Sequence, residues 1–380
     1  MIKRTILLCL AVAQLFMLSG CWNYIEIDEQ INVSGIALDI GDQGCRYQLT
    51  VEVVTVGGNG NTKFESFLIE SGGGTIFEAI RNLMTLTPKK LYFGHCKLMV
   101  IGEPLAEYGI GELLDLPLRN HEMRANTEVI IAKGTTGKRV LQTKSIMTNI
   151  VSYKISDILK TSEKAVGTAA PPAAYQIYDS IHTQGVSTVI PAFDLYKVGD
   201  TDVVKLCGAG VFRSDRLIGY LNEEQLKDLS LMKGKLKTGL VTSEAAGGPY
   251  YTTSFEIYKA NGQSKINCTQ EGITAQYNVK LWVNVGESQM QEDFFDESQL
   301  DATRRTLETT LTKNMENLAK AAQQTYHCDF FGVGDHLRQQ DPDCWEKYKK
   351  DWETEFPKVR FEVVCEVRII SSGASNVAPK

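Results

Sequence analysis

His95 and Cys96 stand side by side in "YFGHCKL", and an imidazole beside a thiol is a pairing that activates nucleophiles. Adjacent side chains on a strand point to opposite faces, however, so on a strand these two cannot share a proton. A second group, His327, Cys328, His336 and Cys344, offers the nitrogen and sulfur atoms that zinc takes. Its spacing fits none of the common zinc patterns, which leaves buried cysteines and loop histidines as the reading, and no metal. "SGGGT" (71–75) lies ahead of a helical stretch as a phosphate loop would, but lacks the Gly-Lys-Ser/Thr ending. "GVGDHL" and "GIGEL" match only fragments of nucleotide-binding patterns. Glu292, Asp293, Asp296 and Glu297, around Phe294-Phe295, read as a solvated approach to a helix. The expectation is a protein that is not an enzyme, has no catalytic residue and carries no cofactor.

The chemistry that the sequence does spell out is at Cys21. Lys3 and Arg4 form a basic flank, and Ile6 to Leu18 is apolar except for Cys9 and Gln14. A membrane-spanning helix needs roughly 20 apolar residues, so this run has instead the length of a signal-peptide core. It ends in Leu18-Ser19-Gly20-Cys21, which resembles the bacterial lipobox. In that pathway the Cys21 sulfur takes a diacylglyceryl group through a thioether, and a peptidase then cuts between Gly20 and Cys21. Small Ser19 and Gly20 give the peptidase access to the backbone, and only cysteine supplies the sulfur. Two acyl chains hold a protein stably where one does not, at ~0.8 kcal/mol per buried methylene. The expected mature chain starts at Cys21 and has membrane lipid as a partner through that diacylglyceryl-cysteine. This is an anchor, not a span.

The 380 residues are 43% hydrophobic and 23% charged, an ordinary globular composition with enough apolar side chains for real cores. That length suggests two or three domains. Taking Lys3 and Arg4 from the 40 basic residues leaves 38 against 46 acidic ones, a net charge of −8 after cleavage. Such a balance argues against nucleic acid as a partner. Of nine cysteines, Cys9 is lost with the leader and Cys21 is lipidated. Cys45, Cys96, Cys207, Cys268, Cys328, Cys344 and Cys365 remain, scattered and without a CxxC pair, so a dense disulfide framework is not expected. One disulfide is compatible with this set, and the sequence does not choose the pair.

The elements that must position any site follow from periodicity. "RYQLTVEVV" (46–54) alternates as a half-buried strand and "GGNGN" (57–61) marks a loop. Thr75 and Glu78 form a capping box for a helix with Ile76, Ala79, Ile80 and Leu83 on one face. "CKLMVIG" (96–102) is a continuous apolar run, hence a strand buried on both faces, and "TEVIIA" (127–132) is another strand. Between them, a helical stretch starts at Pro104 and is interrupted around Gly109-Ile110-Gly111. The stretch 161–191, rich in small residues with Pro171-Pro172 and Pro191, reads as a connection between modules with a short helix from Ala173 to His182.

Beyond it, "GAGVFRSDRLIGYL" is a hairpin turning at Ser214-Asp215, and Asn222 caps a helix that stops near Gly234. "FEIYK" (255–259) and "QYNVKLWVNV" (276–285) are strands. Ser298 and Asp301 open a long helix striped by Leu307, Leu311, Met315, Leu318 and Ala322. "VRFEVVCEVRII" (359–370) is the clearest alternation in the chain. The expected fold class is α+β and multi-domain, with small, mostly antiparallel or mixed sheets each packed with helices. The expected division is a leader 1–20, an N-terminal module 21–195, a C-terminal α+β domain 196–372 and a frayed tail 373–380. The charged string "RNHEMR" (119–124) holds Arg119, Glu122 and Arg124, read either as a surface turn with weak ion pairs or as a polar patch for a partner.

"LSGCWNYIEIDEQINVSGIALD", "LYFGHCKLMVIGEPLAEYGIGELLDLPLRNHEMRANTEVIIAKG", "CGAGVFRSDRLIGYL" and "DFFGVGDHLRQQDPDCWEKYKKDWETEFPKVRFEVVCEVRII" occur in this order. Together they resemble the Ger(x)C family, the C-subunit lipoproteins of spore germinant receptors. Asn23 departs from the acid usual after the tryptophan, while the lipobox is intact. The resemblance implies a subunit on the outer face of the spore inner membrane, with two multispanning receptor subunits, A and B, as partners. It also implies three small α+β domains, two of them within the N-terminal module. Only Cys21 receives a defined role from it. The alternative is a solute-binding lipoprotein of an envelope transporter, which would show two lobes of parallel sheet. A cell-envelope hydrolase would need a nucleophile and base.

Overall fold

The computed structural model describes residues 2–6, 26–42, 44–56, 64–119, 122–143, 149–165, 167, 171–244, 252–289 and 296–371. The lipobox, Leu18 to Cys21, and the loop 57–61 lie outside these.

The first sheet is nine-stranded and mixed. In chain order its strands are β1 (Gln30–Ile40), β2 (Tyr47–Val56), β3 (Phe64–Gly73), β4 (Lys90–Tyr92), β5 (Leu98–Gly102), β6 (Glu128–Ala132), β7 (Val189–Val198), β8 (Thr201–Arg213) and β9 (Arg216–Leu221). Their spatial order is β3-β2-β1-β5-β6-β7-β8-β9, with β4 also paired to β1. The centre, β1-β5-β6-β7, is parallel, and both flanks are antiparallel. Parallel strands must be covered on both faces, and β5 and β6 show why their sequences lack polar alternation. Leu98, Val100, Ile130 and Ala132 face one core, with Val140, Leu141, Val151, Ile155 and Leu159 of the helices Gly137–Leu141 and Val151–Ala165. Met99, Ile101, Val129 and Ile131 face the other. There they meet the helices Ile76–Leu83, Glu103–Tyr108, Gly111–Arg119 and Ala174–His182.

Local signals hold at most of these ends. Thr75 Oγ1 accepts from Glu78 N at 3.1 Å, while the Glu78 carboxylate reaches back to Gly74 N at 2.9 Å. Gly109, at φ +141°, interrupts the helical stretch with a backbone conformation that side chains disfavour. The stretch 161–191 passes from the helix on one face of the sheet to Ala174–His182 on the other, then into β7. Residues 195 and 196 both lie in β7, and the same sheet continues through the β8–β9 hairpin to Leu221.

The second sheet has the order β10-β11-β12-β13: β10 (Gly239–Glu244), β11 (Thr252–Thr269), β12 (Gly272–Ser288) and β13 (Arg360–Ser371). Its first three strands are antiparallel, while β13 runs parallel to β12. That parallel step needs a crossover, which the helix Glu297–Ala321 begins. Leu307, Leu311, Met315 and Leu318 press onto a face that includes Tyr277, Val279, Leu281 and Val283. The N-cap of this helix is Asp296, not Ser298: the Asp296 carboxylate accepts from Ser298 N at 2.8 Å, and the Ser298 hydroxyl donates to it at 2.6 Å. The core of this sheet also takes Val211 and Leu221 from the first sheet.

Cys268 and Cys344 form a disulfide across 76 residues, from the end of β11 to the helix Pro342–Tyr348. This is the pair that the sequence left open.

Two buried carboxylates fix helices to the first sheet. Glu52, 1% exposed, accepts from Val151 N at 2.7 Å, Ser152 N at 3.0 Å and the Ser34 hydroxyl at 2.7 Å. Asp39 holds Gly137 N at 2.7 Å and Lys138 N at 2.9 Å. Burial pushes the Asp39 carboxyl above its ordinary range, against the pull of those two amides. Glu52→Ala strands several buried donors at once, so a loss of about 3 kcal/mol is expected. A lower urea midpoint at unchanged slope checks it.

Candidate functional site

The helices Ile76–Leu83, Gly111–Arg119 and Ala174–His182 leave a cleft of about 800 Å³ against Arg46 and Tyr47 at the start of β2. Helical spacing lays Ile76 and Ile80 along its wall, with Phe77, Met84 and Leu116 beside them. The rim is charged. Arg46 lies 2.8 Å from Glu112, and the Tyr47 hydroxyl donates to the same carboxylate at 2.9 Å. Those bonds, Tyr47 first and Arg46 second, hold the Glu112 carboxyl below its usual range. Burial, helped by Glu112, pushes the Tyr47 phenol up to about 12, so it stays a neutral donor. The Arg81 guanidinium sits 4.8 Å above the Phe77 ring and makes no ion pair among the described residues. An apolar wall with paired charges at its rim can hold an amphipathic group in one orientation.

The charged string divides. Arg119 lines this cleft, bonded to Asp115 at 2.7 Å, and Glu122 lines it while paired with Lys90. Arg124 is exposed and lines a smaller pocket with His95 and Cys96. His95 and Cys96 are not on a strand. They end a tight turn, Phe93–His95, that leaves His95 exposed and turns Cys96 inward. Cys96 is 3% exposed and its thiol donates to Leu98 O at 3.6 Å. Burial pushes that thiol up to about 12, which leaves it protonated and unreactive at neutral pH.

The group around His327 is also separated. Cys328 is buried, and Cys344 is bonded to Cys268. Cys268, Cys344 and Asp341 come together closely enough to suggest metal ligands, but the two sulfurs are spent on each other. In "DFFGVGDHL" the organising side chain is Asp329, which accepts from Gly332 N and Gly334 N at 2.8 Å and Val333 N at 3.1 Å. Burial raises its carboxyl to about 6, against those amides. These glycines shape a buried turn. Phe294 and its acidic neighbours 292 and 293 lie outside the described residues, and Asp296 and Glu297 belong to a helix start.

Sequence reasoning missed Arg46, Tyr47 and Glu112 as one unit. The sequence separation of 65 between Tyr47 and Glu112 carries no periodicity that would join them. Fold and cleft together define a two-sheet α+β protein whose candidate site is a binding cleft.

Comparison with known proteins gives the family. Residues 23–195 match the spore germination protein N-terminal domain, and residues 207–373 match the C-terminal domain described as spore germination B3/GerAC like. Spore germination protein B3 of Bacillus subtilis is 25% identical over 367 residues, covering 94% of this chain and 96% of that protein. Spore germination protein KC of the same organism is 22% identical, covering 99% and 98%. The crystal structure of the GerBC protein superposes with a TM-score of 0.56 at 21% identity, covering 88% of this chain and 97% of that one. The chain belongs to the Ger(x)C family of spore germination proteins.

Proposed function

We propose that this chain is the C subunit of a spore germinant receptor, anchored by lipid at Cys21 and assembled with the multispanning A and B subunits on the outer face of the spore inner membrane. The observation that carries this reading is the order and extent of the family match, both halves in sequence behind Cys21. No helix among the described residues is long and apolar enough to cross a membrane, which suits an anchored subunit. Burial holds the Cys96 thiol protonated, in keeping with a role as structural support of the receptor. A solute-binding lipoprotein would need two parallel-sheet lobes, and the second sheet here is largely antiparallel.

Arg119 and Arg124 are our candidates for the surface that meets the membrane subunits. Both are exposed, and the Arg119–Asp115 pair lies at the surface, where such pairs are worth under ~1 kcal/mol. Anchoring confines the domain near the bilayer, so a weak interface gains from high effective concentration. Reversing Arg119→Glu and Arg124→Glu together is expected to reduce co-purification of the membrane subunits severalfold, while circular dichroism stays native. Undiminished co-purification would remove this surface from the receptor interface.

A further inference from the structure

Below the turn that carries His95 lies a small polar pocket of about 230 Å³. Three segments build it. Lys97 and Glu128 stand at the leading ends of the parallel neighbours β5 and β6, where Glu128 N donates to Lys97 O at 2.9 Å. Ser156 and Lys160, four residues apart on the helix Val151–Ala165, share a face above them. Arg124 enters from the loop before β6. The pocket's lining therefore combines the basic residues Lys97, Arg124 and Lys160 with one carboxylate and one hydroxyl. Neither Ser156 Oγ, on a residue 1% exposed, nor Glu128 Oε2 has a hydrogen-bond partner among the described residues. Buried oxygens of this kind are normally satisfied, so the pair marks a position where a ligand gains by supplying a donor.

The cations are only weakly engaged. Lys97 rests over the Tyr153 ring at 4.7 Å, Lys160 has only Asp157 at 3.8 Å, and Arg124 makes no ion pair among the described residues. Within the lining, three cations and the Glu128 carboxylate leave two positive charges, and Asp157, outside the lining and mostly exposed, offsets Lys160 only in part. We propose that this pocket binds inorganic phosphate as the hydrogenphosphate dianion. Its charge balances that of the lining residues, and its three unprotonated oxygens match the three cationic donors. Its single P–OH donates to Glu128 Oε2, and the Ser156 hydroxyl bonds a remaining lone pair. A simple carboxylate ion brings one charge and no donor. Sulfate brings the charge without the proton, so Glu128 would meet it with a bare negative oxygen. The phosphodiester of a lipid headgroup lacks that proton too.

The test is calorimetric titration of the full chain in detergent with sodium phosphate and with sodium sulfate, at matched ionic strength. Saturable phosphate binding is expected, with sulfate weaker by about tenfold or more, as for an unpaired charged group. Glu128→Gln, whose amide donates, is expected to close that gap by strengthening sulfate and weakening phosphate. Lys160→Ala, at the exposed rim, should weaken both anions and leave the gap. Equal affinity for the two anions in the wild type, or no saturation by phosphate, overturns the proposal. So does an unchanged gap in a natively folded Glu128→Gln. Should that variant fail to fold, the wild-type comparison and Lys160→Ala decide. Vesicles of phosphatidylglycerol are the last arm: displacement of phosphate by them, at matched phosphorus, would assign the pocket to lipid instead.

Discussion

With the proposed anchor at Cys21, Cys21→Ala is expected to abolish stable membrane attachment and, with it, germination through the proposed receptor. Alanine has no sulfur to alkylate, and the diacylglyceryl group is what the peptidase recognises before cutting behind Gly20. The variant is expected to stay uncleaved or to leave the membrane fraction. The effect is expected to be close to all-or-none because the proposed anchor's energy would be carried by its acyl chains, each methylene adding ~0.8 kcal/mol. No described helix is long and apolar enough to cross the bilayer, so none of them would replace the anchor as a span. The fold itself should be untouched, because its first sheet begins at Gln30. Mass spectrometry of the wild-type N-terminus checks the premise: a diacylglyceryl-cysteine is expected. A mature chain starting at any other residue would refute it, as would normal membrane retention of the variant.

Much of the architecture was legible because its determinants are local. Five consecutive buried residues in β5 announce a strand covered on both faces. Asn222, whose side chain accepts from Gln225 N at 2.8 Å, is a cap that needs no tertiary partner. The stripe Leu307, Leu311, Met315, Leu318 repeats at the helical period whatever it packs against. Where long-range pairing decides, the sequence was silent. Beyond Lys259, β11 runs on through Ala260, Asn261, Gly262, Gln263 and Ser264, residues poor in strand propensity. They are strand because each is laddered to β12 as far as Thr269. Within "FEIYK" the pairing register also shifts, between Ile257 and Lys259.

The unity of the first sheet was hidden for a related reason. Prolines and small residues in 161–191 look like a linker, yet the helices Val151–Ala165 and Ala174–His182 at its two sides pack on opposite faces of one sheet. The candidate sites are less legible still. Arg124 was singled out by charge, but its neighbours in the pocket, Lys97, Glu128 and Ser156, come from separate elements and share no motif. Only the parallel pairing of β5 and β6 brings Lys97 to Glu128.

Breaking the Cys268–Cys344 bond is expected to have the largest effect on stability. Across 76 residues, the loop-closure entropy removed from the unfolded chain corresponds to about 4 kcal/mol. For a domain of this size that is a fall in melting temperature of roughly 10 °C. The loss should be greatest in the C-terminal unit, where Cys344 precedes Trp345, whose ring lies edge-on to Trp352 at 5.3 Å. The helices Val333–Gln340 and Pro342–Tyr348 are short, so they depend on such ties more than on their own propensity. Cys268→Ser with Cys344→Ser should melt where the reduced wild type melts, and should not respond to reductant. Cys45, Cys96, Cys207, Cys328 and Cys365 are free, so alkylation under denaturing conditions should leave only Cys268 and Cys344 of the folded part protected until reduction. A wild type that melts alike with and without reductant would show that the bond does not form. The prediction also bears on place: such a bond persists outside the reducing cytosol, on the side of the membrane where a chain processed at Cys21 would be held.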